Sequence, residues 1–175
     1  INPNKSRDDG LSRDELRTVV GVSSKKIPEQ ENMLINILDL EEITVNDIMV
    51  PRNEIVGLNL DNKKDGILDT IINCGYTRIP IFRGDINQIE GILHMKNVPR
   101  LLRMGGEGLT QRAIKRFARE PYFVPKNTPL NKQLLNFKLN QRRIAVVVDE
   151  YGEIEGLVTL EDILEEIVGD FTTNK

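Results

Sequence analysis

Thr159 and Asp162 carry the residue types best suited to binding chemistry in this sequence. They are spaced as the N-cap of a helix and the residue three positions later. A carboxylate in the first turn of a helix can accept hydrogen bonds from a diol, and the free backbone N–H groups there attract a phosphate. The same two residues could instead serve only as a capping box. Their spacing alone favours neither interpretation.

The single cysteine, Cys74, and the single histidine, His94, limit the other chemistry that the chain can perform. One residue of each type cannot form an internal disulfide, a zinc site of the usual cysteine and histidine composition, or an HExxH helix. The sequence also supplies no third group to orient a Cys–His nucleophile pair. We therefore assign no catalytic residue and expect a protein that is not an enzyme.

Two charged segments allow more than one interpretation. An acidic helical face near the end of the chain could hold Mg²⁺ directly, although such a face is more often solvated or paired with basic residues. Its members are Glu161, Asp162, Glu165, Glu166 and Asp170. A basic segment could face an anionic membrane surface or a triphosphate, although a solvated face is the more common outcome. Its members are Arg112, Lys115, Arg116 and Arg119.

Composition excludes several classes of protein. The 175 residues include 24 Lys+Arg and 27 Asp+Glu, for a net charge of −3, and 39% are hydrophobic. That apolar content is enough for a packed core, whereas a nucleic-acid binder would normally show a basic excess. With three Tyr, five Phe and no Trp, few side chains could stack on bases. No apolar run is long enough to cross a bilayer, and the polar ends indicate a piece of a longer protein.

Internal repetition is the most informative feature of the sequence. Residues 49–53 match 123–127 at an offset of 74, whereas 78–81 match 143–146 at an offset of 65. The segment Gly91–Asn97 matches Gly156–Asp162, also at an offset of 65. These matches predict two copies of one unit that differ by nine residues in a loop before the middle strand.

Each copy has the pattern strand, helix, strand, turn, strand, helix. The predicted helices and strands of the first copy are 65–73, 78–82, 89–93 and 97–103, and those of the second are 130–139, 143–148, 154–158 and 159–168. A tight turn is predicted at 149–152, and Gly169 should end the last helix. A unit of about 60 residues cannot bury its sheet alone, so the copies should pack face to face about a pseudo-two-fold axis.

A helical lead-in precedes the repeats. Ser12 and Glu15 form a capping-box pattern that predicts a helix over 13–20. A second helix over 29–40 places an apolar face, suited to docking, at helical spacing. That face comprises Met33, Leu34, Ile37, Leu38 and Leu40.

The predicted fold class is α/β, of the α+β kind, with two pseudo-symmetric repeats. Each repeat should contain a small, mostly antiparallel three-stranded sheet and two helices. The predicted division of the chain is a lead-in over 1–42, a first repeat over 43–104, a basic linker over 105–119 with a glycine hinge, a second repeat over 120–170 and a tail over 171–175.

Four segments together resemble a tandem CBS-domain pair, or Bateman module. They are Thr44–Arg52, Gly75–Pro80, Asp149–Gly152 and Gly156–Asp170, and they span most of the chain. More narrowly, the sequence resembles the CorB/CorC/hemolysin-C and cyclin-M family, and within it the bacterial inner-membrane branch. The lead-in is similar to the segment that follows the transmembrane domain of that family.

The resemblance implies an adenine-nucleotide site in the cleft between the repeats, with Asp162 on the ribose. Pro80 would interrupt its strand and leave an edge for adenine, beside an apolar slot formed by Ile79 with Ile48 and Met49. The nucleotide-binding residues that it implies are Thr44, Tyr76, Thr77, Arg78, Ile79, Pro80, Thr159 and Asp162. No residue is implied as a direct metal ligand, because Mg²⁺ would arrive on the nucleotide phosphates.

The pseudo-symmetric second cleft should bind nucleotide more weakly. Asn97 replaces Asp162 there, His94 replaces Thr159, and Ala145 replaces Pro80. An amide lacks the charge-assisted hydrogen bonds of a carboxylate. We therefore expect one occupied cleft in each chain.

The function implied is that of a regulatory module on the cytoplasmic face of the bacterial inner membrane. It would bind ATP with Mg²⁺, form a homodimer through the helices that follow each third strand, and act on its own transmembrane domain, which moves Mg²⁺ or Co²⁺. Nucleic acid is not an expected partner. The alternatives are a sensor of AMP or another adenosine ligand, and a dimerisation platform with an empty cleft.

Overall fold

The computed structural model describes residues 10–23, 28–105 and 109–169, which form eight helices and seven strands. The helices are α1 (Arg13–Ser23), α2 (Pro28–Asp39), α3 (Val45–Ile48), α4 (Lys64–Ile72), α5 (Val98–Arg103), α6 (Gln111–Phe117), α7 (Leu130–Asn140) and α8 (Leu160–Val168). The strands are β1 (Val50–Pro51), β2 (Leu58–Asn59), β3 (Arg78–Arg83), β4 (Asp85–His94), β5 (Phe123–Pro125), β6 (Ile144–Val148) and β7 (Ile154–Thr159). Short 3₁₀ turns occupy Arg52–Glu54 and Met95–Asn97.

The strands form two mixed sheets, which confirms the predicted α/β class. The first sheet has the order β2-β3-β4, with β2 and β3 parallel and β3 and β4 antiparallel. The second sheet has the order β1-β7-β6-β5, with β5 and β6 parallel and the other pairs antiparallel. The expectation of three strands in each sheet is therefore correct for the first sheet only, because β1 adds a fourth strand to the second.

Each sheet is extended at one edge by backbone from the other half of the chain. Strand β1 precedes the first sheet in the sequence, yet Val50 pairs with Leu157 on β7. Reciprocally, Arg119 precedes the second sheet, yet it pairs with Ile92 on β4. The amide of Ile92 donates to the carbonyl of Arg119 at 2.7 Å, and the reverse bond measures 2.8 Å. The two repeats are thus interlocked through main-chain hydrogen bonds.

Two glycines make this exchange possible. A Cβ atom on Gly156 would overlap the carbonyl oxygen of Val50 and lie 2.8 Å from Sδ of Met49. A Cβ atom on Gly91 would lie 3.0 Å from Cβ of Ala118 and 3.1 Å from the carbonyl oxygen of Arg119. The repeated glycine of the sequence therefore marks the point in each copy where the exchanged segment crosses the sheet.

Three hydrophobic clusters hold the layers together. One lies beneath the first sheet and joins it to α4, α5 and α6, and a second lies beneath the second sheet and joins it to α3, α7 and α8. The third cluster lies between the sheets, where it contains Ile92, Ile144, Val146, Ile154 and Leu157. Burial on both faces explains why β6 is apolar along its whole length.

Strand register corrects the repeat alignment that the sequence indicated. Leu58 pairs with Ile81 in the first sheet, and Val124 pairs with Val147 in the second, so these strands correspond at an offset of 66. From the return strand onward the offset is 65, as for His94 and Thr159 at the ends of β4 and β7. The match of 49–53 with 123–127 was wrong, since β1 belongs to the other sheet. The copies differ by one residue before the return strand, not by nine.

The one-residue difference also changes the counterparts of β3. The amide of Met95 donates to the carbonyl of Thr77, and the amide of Leu160 donates to that of Arg143. Thr77 therefore corresponds to Arg143, and Arg78 corresponds to Ile144. A shift of one position moves a strand residue to the opposite face of the sheet. The counterpart of Pro80 is accordingly Val146 rather than Ala145.

Local signals placed most helix ends correctly. Helix α8 begins after Thr159, which forms a capping box with Asp162, and ends at Gly169, whose φ is 79°. The predicted turn at 149–152 is closed by the Asp149 carboxylate, which accepts from the amides of Tyr151 and Glu153 at 2.9 Å. The predicted hinge lies mostly outside the described residues, since only Gly105 of its glycines is described, and so does the predicted tail.

The lead-in helices pack on the second repeat. Ser12 and Glu15 form the expected capping box at the start of α1, and Arg17 pairs with Asp39 at the end of α2. The Asn36 amide donates to the carbonyl of Ile167 on α8 at 3.0 Å. Leu40 is buried, but three members of the predicted apolar face of α2 are exposed, namely Met33, Leu34 and Ile37.

One face of the segment predicted as a basic linker packs into the hydrophobic core. Helix α6 buries Ala113 and Ile114 in the core beneath the first sheet, while Arg112, Lys115 and Arg116 face outward. It is the counterpart of α3, which buries Val45 beneath the second sheet. Each of these two helices packs beneath the sheet of the other repeat. The predicted domain boundaries stay a prediction. Among the described helices, none has the length and apolarity needed to span a membrane.

The close approach at Gly156 predicts a specific loss of stability. Replacing Gly156 with Ala should lower the free energy of unfolding by about 2–3 kcal/mol, because the new methyl group overlaps the backbone of β1. Gly66→Ala in α4 is the matched control, since its Cβ would meet only ordinary contacts of 3.6 Å or more. Denaturant unfolding of both variants measures the difference. Equal stability of the two would contradict the proposed crossing.

Candidate ligand site between the repeats

A cavity of about 280 Å³ opens between the two sheets and has walls from both repeats. The first repeat contributes the loop before β3, and the second contributes the ends of β6 and β7 with the first turn of α8. The lining residues are Val50, Glu54, Ile55, Val56, Gly75, Tyr76, Thr77, Arg78, Ile144, Leu157, Thr159, Glu161 and Asp162. We call this space the first cleft. Five of the eight residues implied by the resemblance line it.

Thr159 and Asp162 form a capping box and also keep free atoms on the cleft. The Asp162 carboxylate accepts from the Thr159 amide through Oδ2 at 3.0 Å, and the Thr159 hydroxyl oxygen accepts from the Asp162 amide at 3.1 Å. Among the described residues, no donor bonds Oδ1 of Asp162, and the hydroxyl hydrogen of Thr159 is not used by either bond. The capping and binding interpretations are therefore compatible.

Tyr76, Thr77 and Arg78 form the opposite wall because β2 is short. Strand β2 pairs only with Ile81 and Phe82, so the preceding part of β3 has an open edge on that side. The backbone of Ile92, opposite Pro80, bonds to Arg119 and not to β3. The nitrogen of Pro80 therefore faces the open edge. The N–H that proline lacks would have no partner strand there, so its absence removes no hydrogen bond from the sheet. Contrary to expectation, Pro80 does not interrupt β3.

Three of the expected site residues lie elsewhere. Ile79 is fully buried in the core beneath the first sheet, and Pro80 is buried within β3, so neither side chain lines the first cleft. Thr44 caps α3, where its amide and hydroxyl both donate to the Asp47 carboxylate. A contact from any of the three to a ligand stays a prediction.

The apolar wall is built from residues that the sequence reasoning did not select. Ile48 and Met49 pack against the second core, while Val50, Ile55, Val56, Ile144 and Leu157 face the first cleft. Most of these belong to the exchanged segment and to the layer between the sheets. The β-branched spacing after Pro51 was a usable signal, but the erroneous repeat alignment assigned that segment to its own sheet.

Acidic side chains predominate at the rim of the first cleft. Glu54, Glu161 and Asp162 line it, and Arg78 is the only basic residue among its described lining residues. Glu161 is partly compensated, since its carboxylate lies 3.7 Å from the Arg143 guanidinium. Among the described residues, no group of three His, Cys, Asp or Glu side chains is arranged to hold a metal ion. Asp170 of the predicted acidic face lies outside them.

A second cleft of about 270 Å³ lies at the pseudo-symmetric position. It meets the first cleft at Arg78 and Ile144, which line both. Asn97 occupies the position of Asp162, but its amide donates to the carbonyl of Phe117 at 3.4 Å. The second cleft therefore has an amide, and not a carboxylate, at the position where the first cleft has Asp162.

His94 caps the 3₁₀ turn at the second cleft. Its Nδ1 accepts from the amide of Lys96 at 3.0 Å, as the hydroxyl oxygen of Thr159 accepts from its own turn. Burial lowers the pKa of His94, and the positive charges of Arg78 and Lys96 lower it further. All three effects favour the neutral ring that can accept the capping bond. The thiol of Cys74 bonds with the backbone of Tyr76, and Cys74 does not line the second cleft.

The basic residues of the linker segment have different environments. Lys115 pairs with Glu90 at 3.1 Å, and Arg112 is exposed. Arg116 lies near Arg100, whose guanidinium packs over the ring of Phe117. Only Arg119 of the four lines a cleft, and it lines the second. The segment is thus not one continuous basic face.

Two interlocked α/β repeats around paired clefts define a tandem-repeat module, and comparison with known proteins identifies its type. A family model described as the CBS domain matches residues 114–169. A UPF0053 protein of Haemophilus influenzae is 47% identical over 167 residues, which cover 94% of this chain and 40% of that protein. The magnesium and cobalt efflux protein CorC of Pasteurella multocida is 37% identical over 162 residues, covering 91% and 53% respectively.

Solved structures show the same pairing. A CBS-domain pair with bound AMP from Klebsiella pneumoniae is 44% identical, covers 73% of this chain and 99% of its own, and has a TM-score of 0.67. The CBS domain of a bacterial CNNM/CorC family Mg²⁺ transporter in complex with ATP is 36% identical, covers 82% and 100%, and has a TM-score of 0.72. The chain therefore belongs to the CBS-domain pairs of the CNNM/CorC family. It spans about two fifths to one half of the length of these curated relatives.

The environment of His94 predicts that its pKa lies below that of a free imidazole. Nuclear magnetic resonance of the only imidazole should give a pKa below the unperturbed value of about 6.5, and the chain unfolded in urea should return to it. As pH falls below about 6.5 the unfolded chain takes up a proton first, so the free energy of unfolding should decrease. Lys96→Gln should raise the pKa of His94, whereas the exposed Lys132→Gln should not. A value above 6.5 in the folded chain would contradict this account.

Proposed function

We propose that the chain is a regulatory module that binds an adenine nucleotide in the first cleft, with ATP and Mg²⁺ as the favoured ligand. The observation that carries the proposal is the free Oδ1 of Asp162, held in the wall of a cavity that both repeats line. The complexes of related CBS pairs with AMP and with ATP support it. In this chain no set of nucleophile, base and orienting group is brought together among the described residues, and we infer a binding role without catalysis.

The first cleft fits the parts of such a ligand. Asp162 is placed to accept hydrogen bonds from the ribose diol, which are stronger with an ionised acceptor. The apolar wall of Val50, Ile55 and Leu157 suits an adenine ring, and the open edge of β3 offers backbone groups to its polar atoms. Phosphates would lie toward the guanidinium of Arg78 and the amide of Glu161, since the amides of Leu160 and Asp162 already donate to Arg143 and Thr159.

Magnesium would be required because of the acidic rim. A triphosphate beside Glu54, Glu161 and Asp162 meets like charge, and a bound cation reduces that repulsion. Mg²⁺ usually keeps several waters and binds through phosphates and one or two carboxylates. The ion would therefore arrive with the nucleotide and not occupy a site of its own.

Ligand binding could reach the rest of the protein through α8. The first turn of α8 carries Asp162, and its last turn bonds through Ile167 to Asn36 of α2. A nucleotide that fixes α8 against the first repeat would thus bias the position of the lead-in helix. The mechanism is a population shift, since the ligand favours whichever arrangement of the repeats brings both walls together.

The whole protein would be a membrane transporter of Mg²⁺ or Co²⁺, with this module on the cytoplasmic face of the bacterial inner membrane. The names of the CorC relatives and of the CNNM/CorC family structures support this proposal. Its partner would be its own transmembrane domain, which would follow or release the module according to nucleotide binding. A nucleic-acid partner is not proposed.

The module would also form a homodimer through α5 and α8. These are the helices that follow the third strand of each repeat, and each keeps a large apolar side chain exposed, Leu102 at 44% and Leu164 at 43%. Pairing the two helices with those of a second copy would remove these side chains from water.

An Asp162→Ala variant tests the site directly. It should weaken binding of ATP with Mg²⁺ about ten- to a hundredfold, since a carboxylate hydrogen bond contributes about 1.5–3 kcal/mol. Glu15→Ala is the control, because it removes the capping-box carboxylate of α1, away from the cleft. Calorimetric titration compares both with the unmodified chain. Equal affinity of the three proteins would refute the assignment of Asp162.

Titration with ATP, ADP and AMP, each with and without Mg²⁺, separates the candidate functions. Binding of ATP near one per chain that depends on Mg²⁺ is the expected result. Tighter binding of AMP that does not require Mg²⁺ would replace the proposal with a sensor of AMP. Absence of heat and of thermal stabilisation with every nucleotide would favour a dimerisation platform instead.

The dimer proposal is tested by sedimentation. The unmodified chain should sediment as a dimer at micromolar concentration, and Leu102→Glu with Leu164→Glu should shift it to the monomer, because two charges would be buried at the interface. Tyr151→Glu is the control, since Tyr151 lies on the β6–β7 turn and is 89% exposed. A monomeric unmodified chain would contradict the proposal.

A further inference from the structure

The second cleft has a charge opposite to that of the first. Its described lining includes five cationic side chains and no carboxylate. The cationic residues are Arg78, Lys96, Arg119, Arg142 and Arg143, and His94 lies among them. At the pseudo-symmetric positions, Lys96 replaces Glu161, Arg119 replaces Val50, and Arg142 replaces Tyr76. The substitutions change an acidic, apolar cleft into a basic one.

Two of these guanidinium groups are held in place by reciprocal hydrogen bonds. Arg119 donates to the carbonyl of Gln141 at 3.0 Å, and Arg142 donates to the carbonyl of Glu120 at 2.6 Å. Arg142 also packs over the ring of Tyr122 at 6.0 Å. Segments 119–120 and 141–142 thereby fix two like charges near each other at the cleft. Positions that are fixed in advance reduce the entropic cost of binding a ligand.

Most cationic side chains of the second cleft have no acidic partner among the described residues. In the described part of the chain, no carboxylate lies within salt-bridge distance of Arg78, Lys96, Arg119 or Arg142. Arg143 alone has an acidic partner, Glu161 at 3.7 Å. Burial and then the charge of Arg119 lower the pKa of Arg142, and the nearby Glu120 and Tyr122 offset part of this effect. A multivalent anion in the cleft would remove this mutual repulsion.

We propose that the second cleft is a binding site for a small phosphate-bearing anion, and not a second nucleotide site. The five cations supply charge and donors for a di- or triphosphate, and Arg presents planar paired donors that match phosphate oxygens. The cleft has no carboxylate to hold a ribose, because Asn97 stands in place of Asp162 and donates to Phe117. A cavity of about 270 Å³ can enclose a small soluble phosphate compound, whereas a membrane surface would not enter it.

Inorganic pyrophosphate is the probe, because it has no ribose or base for the first cleft to select. Calorimetry at fixed ionic strength should show about one pyrophosphate per chain, and the resonances of His94 should shift with the same affinity. Because His94 is the only histidine, its signals report on the second cleft without overlap.

The variant Lys96→Gln with Arg143→Gln should weaken pyrophosphate binding about tenfold or more. Neither residue is buried, so the fold should tolerate both changes. The matched control is Arg112→Gln with Lys132→Gln, which removes the same net charge from exposed positions outside the cleft and should leave the affinity within about twofold. Lys96→Gln alone, whose amino group has no described partner, keeps the test valid if the double variant does not fold.

Four results would overturn the proposal. No binding of pyrophosphate, or an equal loss in the control, would show that the cleft is not a specific anion site. Tighter binding of pyrophosphate to Asp162→Ala, which removes a like charge from the first cleft alone, would assign the anion to the first cleft. Binding only to phosphatidylglycerol vesicles, lost in Lys96→Gln with Arg143→Gln, would show that these cations contact lipid headgroups. None of these results depends on whether a nucleotide binds the first cleft.

Discussion

The structure depends on the reciprocal exchange of backbone between the two repeats. Strand β1 completes the second sheet beside Gly156, and the segment ending at Arg119 lies on the first sheet beside Gly91. A Cβ atom would overlap backbone at the Gly156 crossing and would be tightly crowded at the Gly91 crossing. Apolar side chains of both sheets pack together between them, and the clefts lie beside the crossings.

The exchange of backbone determines which side chains line each cleft. Val50 enters the wall of the first cleft because β1 crosses onto β7, and Arg119 enters the second because its segment crosses onto β4. Pseudo-symmetric backbone thus presents unlike side chains at equivalent points. The first cleft combines apolar side chains with the Asp162 carboxylate, and the second combines guanidinium groups with a neutral imidazole. The two clefts of one fold therefore differ in the charge and polarity of their walls.

Local patterns in the sequence predicted the helix caps and turns of the structure. The Thr159–Asp162 box, the Asp149 turn and Gly169 were each predicted at the correct residue, because a cap or turn is set by adjacent side chains. The exchange was not predictable, since two short apolar segments around a Pro residue look alike in either sheet. The match of 49–53 with 123–127 therefore gave a false repeat register. The same error assigned Val50 to its own sheet, whereas Ile79 was placed in the expected site by the family resemblance and not by the register.

The central claim is that a nucleotide occupies the first cleft with its ribose on Asp162, in contact with both repeats. A crystal structure of the chain grown with ATP and Mg²⁺ tests it most directly. We expect ribose hydroxyls at about 2.5–3.0 Å from the Asp162 carboxylate and adenine against the wall that contains Val50 and Leu157. Nucleotide density in the second cleft alone, or a ribose that does not contact Asp162, would contradict the account.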